Sequence, residues 1–425
     1  MTEPERPTRV AFPGSQQSLR TEPGMTQVKA PPPQFAVEAR EVARTLQDAF
    51  AEVLRSVGAD PSTPQSIVKE VGLNKNLAWK VSRIIQAEDA ATALDLVPGA
   101  SGVRIFMRAA AKAHANSDAL SRAEDAIGAY EALIRTHTGD RATLEMMGSE
   151  LDEARRQQRD EQHRKLLFQG ASYVWGAQAR AIVKMAAVIP GDKPGYMNFA
   201  TISGFIDFRR LRPDVTWTMA KRDSSNDDGS EMPESPWYPL DRSGPTSAPP
   251  LLKEFCSQPI PELQRVKTTR EIRYVLPEGE IGNTGALTCL VGMVQKDLPI
   301  YRTPENSYGT HSARCEVPAE LMNIDMFFHE SLPFTHRPEI SLHSNVGGYA
   351  YSKDGQQLPF NERIKDLGVS TVPPPAPEIP RYRQLMETFF SMIGHPLGEF
   401  HGYRVKIAYP AYPTALVMGY PLLEP

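Results

Sequence analysis

The chain has 425 residues, 40% of them hydrophobic, and a formal charge of −4, a balance that excludes a wholly disordered chain and a generally basic nucleic-acid coat. Three cysteines, Cys256, Cys289 and Cys315, are too few and too scattered for a disulfide framework or a four-thiolate zinc site. No apolar run approaches the roughly 18 residues that a membrane span needs, so no membrane partner is expected.

Residues 1–34 hold seven of the 38 prolines and no hydrophobic period, and are expected to form a disordered tail. The opening MTEPERPTRV has no basic stretch leading into an apolar one, so a reduced, cytoplasmic setting is expected. From Phe35 to about Val57, Ala39, Val42, Ala43, Leu46, Phe50, Val53 and Leu54 recur at three-and-four spacing and predict a helix, ended by Gly58 with Asp60-Pro61. Further helices are expected at about 64–71, 75–88, 102–115, 118–136 and 141–168. Thr63 is expected to cap the first of these, Ser117 or Asp118 the fourth and Asp140 the fifth. Leu144, Met147, Leu151 and Ala154 give the last helix a short seam suited to a homodimer or to a solvated connection.

Residues 171–425 carry 28 prolines, which are hostile to helix interiors. Short β-rich runs predict strands at Ala181–Val188, Tyr196–Phe208, Glu271–Leu276, Ala286–Val294, Leu321–Phe328, Tyr403–Ala408 and Ala415–Met418. Arg381–Ile393 is expected to be helical, and 221–250 and 371–380 to be open loops. The fold class expected is α+β multidomain: an all-α N-terminal half, then a mainly-β, Pro-rich C-terminal domain. The divisions are a tail at 1–34, a helical head at 35–115, a helical connector at 116–170 and a β domain for sensing or assembly at 171–425.

The strongest local pattern runs from Pro64 to Arg83. It reads as a short helix with Pro64 at its first position, a turn at Gly72, and a second helix from Lys75. Ile67, Val68, Val71, Leu77, Val81, Ile84 and Ile85 supply the inner face, Leu73 plugs the corner, and Ala78 is small where the helices approach. This pattern resembles the helix-turn-helix of bacterial transcription regulators, with Val68 standing where alanine is common. The resemblance implies that the 75–86 helix enters the major groove of double-stranded DNA. Asn74, Lys75, Asn76, Lys80 and Arg83 point away from the apolar stripe, and residues 71–87 contain no acid. Cations with amide side chains suit base edges and phosphates, while Gln65 and Lys69 are placed to touch the DNA backbone. Trp79 shares this face and is expected to pack, against the 35–57 helix or a partner subunit, rather than to contact sugar or base. A single such head neutralises few phosphates, which favours two heads on a homodimer.

Six of the nine histidines, His311, His329, His336, His343, His395 and His401, fall between 311 and 401, but none form an HxH or HxxxH pair, and no metal ligands are assigned. No catalytic residue and no cofactor is assigned either, because no nucleophile elbow, phosphate loop or dinucleotide fingerprint is present. Cys289 is expected to be an inert core thiol, and Asp207-Phe208-Arg209-Arg210 a solvated strand end. The function expected is a DNA-binding transcription regulator with an unknown small-molecule effector. Its rivals are an interaction protein that self-assembles through the β domain and a metal-dependent enzyme using the 311–401 segment.

Overall fold

The computed structural model describes residues 34–148, 153–223, 237–241, 243, 248–268, 271–302, 308–334, 337–345 and 356–424. The expectations for residues 1–33 of the tail, for most of the 221–250 loop, and for Leu151 and His336 lie outside these residues. The fold is α+β, and the chain divides into two compact units, Met1–Glu153 and Ala154–Pro425. Among the described residues, no helix is long and apolar enough to cross a membrane.

The first unit is helical: α1 Gln34–Ser56, α2 Pro64–Val71, α3 Lys75–Ile85, α4 Ala90–Leu96, α5 Ala100–Lys112, α6 Ser117–Leu133 and α7 Arg141–Gly148. The α1 stripe behaves as its spacing predicts, with Ala39, Ala43, Leu46, Phe50, Val53 and Leu54 all buried. One core gathers residues from Phe35 to Leu144, so helices from the stretches expected as head and as connector pack together. Two of the expected caps are replaced. Thr63 occupies the position before α2 without a side-chain cap; its hydroxyl donates instead to Asp60 Oδ2 at 2.8 Å. Asn116, not Ser117 or Asp118, caps α6, its Oδ1 accepting from the amides of Asp118 and Ala119. Asp140 does cap α7, accepting from the Thr143 amide at 2.8 Å.

Of the expected 141–168 helix, α7 and the stretch from Glu153, part of α8 Glu153–Trp175, are helical, and 149–152 lie outside the described residues. Leu144 of the proposed seam is buried in the helical core and Met147 packs against it, because α7 turns its apolar side inward. That side is therefore spent within the unit.

The second unit holds β1 Ala177–Pro190, β2 Tyr196–Arg210, β3 Trp217–Asp223, β4 Trp237–Pro239, β5 Gln264–Lys267, β6 Glu271–Leu276, β7 Leu287–Pro299, β8 Tyr308–Arg314, β9 Ala319–His329, β10 Glu339–Ser344, β11 Gln357–Leu358, β12 Lys365–Val369, α9 Tyr382–Ile393, β13 Phe400–Ala408 and β14 Thr414–Pro421. A seven-stranded sheet in the order β12-β13-β9-β1-β2-β7-β4 is accompanied by a four-stranded sheet, β11-β10-β14-β8, and a three-stranded sheet, β3-β6-β5. Within the large sheet β1 pairs parallel with β9 and antiparallel with β2.

Both faces of β1 are covered, which is why its sequence reads as a nearly continuous apolar run. Val183, Met185 and Ala187 join α9 residues Leu385, Met386, Phe389 and Phe390 in one core. Ile182, Ala186 and Val188 face the other way, into a core shared with Leu416 and Met418 of β14 and Tyr274 of β6. Seven strands appear close to their expected positions. The strands missed by sequence, such as β8 and β10, are short and largely polar. They are strands because sheet neighbours supply their hydrogen bonds. Arg210 is not solvated as expected: it is 3% exposed, and its guanidinium donates to the carbonyls of Val215 and Pro277. Cys289 is buried, and its thiol is held well above the ordinary range by a hydrogen bond with Cys256 and by burial.

Candidate nucleic-acid interface

The turn between α2 and α3 is built from three residues with separate tasks. Gly72 adopts φ 78°, ψ 23° and its amide donates to the Val68 carbonyl, closing α2 in a left-handed conformation that a side chain disfavours. Leu73 is 3% exposed and fills the corner. Asn74 opens α3: its Oδ1 accepts from the Leu77 amide at 2.8 Å. Behind α3, Ala78, Val81 and Ile84 are fully buried. Gln47 of α1 donates to the carbonyls of Ile84 and Ala87 at 3.0 and 2.7 Å, satisfying the C-terminal end of α3 and fixing its direction.

The outer side of α3 is accessible. Lys75, Asn76 and Arg83 are exposed and Lys80 is half-buried. None of the three cations has an acidic partner among the described residues. Gln65 and Lys69 are exposed on α2, but Lys69 pairs with Glu70 at 2.8 Å. So exposed an ion pair contributes little, and a stronger anion displaces it readily. Asn74 has a different standing from its neighbours. With its oxygen committed to the cap, only its amide nitrogen remains for an external acceptor. Asn74→Ala is expected to cost about 1 kcal/mol of stability; an unchanged thermal melt would show that the cap contributes nothing.

Trp79 is not buried within its own chain. It is 47% exposed, because the small Ala78 and the branched Val81 take the inner positions on either side of it. A large aromatic thus stands on the same surface as Asn76, Lys80 and Arg83. That surface combines positive charge, amide hydrogen bonding and a flat apolar ring, chemistry suited to phosphate, base edge and sugar.

The histidine-rich segment yields a second constellation. His329 at the end of β9, His395 after α9 and Glu399 place one donor atom each within 4.8 Å of one another. Glu399 Oε2 lies 3.0 Å from His329 Nε2 and 3.3 Å from His395 Nδ1. These two hydrogen bonds hold the Glu399 carboxyl below its usual range. Two imidazoles and a carboxylate can ligate a divalent transition ion, and as they stand they also satisfy one another. The signal in the sequence was the four-residue interval from His395 to Glu399, which a search confined to paired histidines passes over. His311, His343 and His401 lie elsewhere: His311 is buried on β8, His343 bonds Ser341, and His401 bonds Asp366 at 2.7 Å.

No protein-family model, no curated protein and no solved structure matches the chain.

Proposed function

We propose that the protein is a DNA-binding transcription regulator of the helix-turn-helix type, in which α3 enters the major groove. The observation that carries this reading is the acid-free outer surface of α3, where Lys75, Asn76 and Arg83 are exposed and Lys80 is half-buried. Lys69 lies one turn and Gln65 about two turns before the glycine corner, along the side of α2 where a backbone phosphate would sit. Lys75, Lys80 and Arg83 read or neutralise the duplex, and Asn74 sets the first turn of α3.

So few cations bind one duplex weakly, and a homodimer doubles the count. The stripe that supports dimerisation is not the Leu144 seam but α8, where Leu166, Leu167, Tyr173 and Val174 are exposed, the pairs repeating at seven residues. Under this reading light scattering returns about 94 kDa, twice the 47.1 kDa chain, and much larger homogeneous particles point to the self-assembling rival. The test of the DNA reading is salt-dependent binding of wild type and Lys80→Ala/Arg83→Ala to promoter and random duplexes.

A second reading rests on the His329, His395 and Glu399 group, a metal-dependent activity. Protein purified without a His-tag and titrated with zinc should then take up one equivalent, lost in His395→Ala. Absence of stoichiometric zinc removes this reading.

A further inference from the structure

In the large sheet, β1 carries one lysine within its apolar stretch from Ala181 to Ile189. Lys184 stands between Val183 and Met185 on β1, on the face shared with Ile182 and Ala186, and only 11% of its side chain is exposed. It approaches Glu316, which follows β8, at 3.7 Å, and Lys221 of β3 reaches the other carboxylate oxygen at 3.3 Å. Burial lowers Lys184, Glu316 raises it, and Arg314 and Lys221 lower it again. Burial pushes Glu316 up, but Lys184, Lys221 and Arg314 together outweigh this and hold its carboxyl below the usual range. One carboxylate is thus shared among three cations, and among the described residues no second acid lines the pocket into which they open.

That pocket has a volume of about 530 Å³, within the range of small-molecule sites. Its polar end is incompletely satisfied. His311 Nε2 and Ser312 Oγ are buried there without a hydrogen-bond partner among the described residues. Burial and the nearby Lys184 push His311 down to about 3, so its ring is neutral at ordinary pH and adds hydrogen-bonding capacity without charge. Buried polar atoms left without partners are costly, and native proteins seldom keep them without a reason. The opposite walls are apolar, with Phe199 packed on the His311 ring at 5.2 Å and Met197, Met293 and Leu298 nearby. Three cations that share one carboxylate, two hydrogen-bonding groups without a partner among the described residues, and an apolar wall therefore meet in one cavity.

We propose that this pocket binds an organic carboxylate with an apolar body, its head group taken by Lys184, Lys221 and Arg314 and its body laid against Phe199 and Met293. A carboxylate suits the cluster because Glu316 already shows the geometry: one lysine on each oxygen. The planar guanidinium of Arg314 adds a fork that matches a second carboxylate. The site belongs to the β domain and does not depend on the DNA reading. It would serve as the effector site of a regulator or the substrate subsite of another protein equally well.

The test uses the full chain without DNA and three ten-carbon probes: decanoate, decyl phosphate and decanol, each followed by calorimetry. Decanoate is expected to bind at one site and to bind at least tenfold more tightly than decanol, since only the anion meets the cations. Lys184→Met keeps the volume apolar and is expected to fold, with its melting temperature as the check, and to lose decanoate binding by tenfold or more. Should Lys184→Met fail to fold, Arg314→Gln near the head group carries the same expectation. Equal binding of decanol and decanoate overturns the anion role. Binding of decyl phosphate alone overturns the carboxylate assignment. Absence of saturable decanoate binding, or unchanged affinity in a folded variant, overturns the site.

Discussion

Replacing Asp325 with alanine is expected to lower the unfolding free energy of the β unit by about 3–5 kcal/mol. Asp325 on β9 is wholly buried, directly opposite Arg404 on β13, which is 5% exposed. The guanidinium grips the carboxylate with two bonds of 2.6 Å, through Nε and Nη2. A third donor is the Tyr382 hydroxyl from the first turn of α9. Arg404 also donates to the Pro375 carbonyl at 2.6 Å, tying down the chain that leads into α9. Burial and the neighbouring Asp325 charge push the Tyr382 phenol well above its ordinary range, so it remains a donor throughout the working pH range.

Taking away the carboxylate leaves a buried guanidinium without its counter-charge, and that is the source of the large effect. A buried pair is not itself a large net stabiliser, because desolvation offsets most of the attraction. The double variant Asp325→Leu/Arg404→Met should therefore recover most of the loss. Urea denaturation of the single and double variants measures both. A double variant as unstable as Asp325→Ala would show that packing at this position, not the uncompensated charge, sets the cost.

The second large effect concerns α3. Each phosphate neutralised adds about 0.9 to the slope of log affinity against log salt, so Lys80→Ala/Arg83→Ala is expected to flatten that slope by about 1.8 per head. The fold should survive, since neither side chain lies in the core and such surface changes stay within about 0.5 kcal/mol. Trp79→Ala separates the rivals further. If the exposed ring meets DNA, the affinity falls with the salt slope retained; if it meets another protein, DNA binding is unaltered. A salt slope unchanged in the double variant rejects the α3 surface as a DNA contact.

What was legible beforehand follows from how local the signals are. Helices α1 to α3 stood in the sequence because a three-and-four apolar stripe, a proline at a first turn and a glycine at a corner each act within a few residues. The outward placement of Lys75, Asn76 and Arg83 follows from the same periodicity. Caps were less legible: Asn116 and Ser117 are adjacent candidates, and only the backbone conformation decides which one bonds the free amides. Trp79 is not buried by its own chain, because a preference averaged over tryptophans says nothing of a position whose inner neighbours already fill the core.

In the second half, the sequence by itself determined the strongly apolar strands β1, β2, β7 and β9 and the amphipathic α9, because burial demands apolar side chains whatever the topology. Only the tertiary structure decided the rest. β8, β10 and β12 are strands because partners across the sheet complete their backbone bonds, a pairing between residues distant in sequence that no local pattern encodes. By the same route residues 325 and 404 become a buried ion pair, and residues 184, 221, 311 and 314 gather at one cavity. Their chemistry arises from proximity in space, where burial strengthens each charge, and proximity in space is what a linear order of residues leaves open.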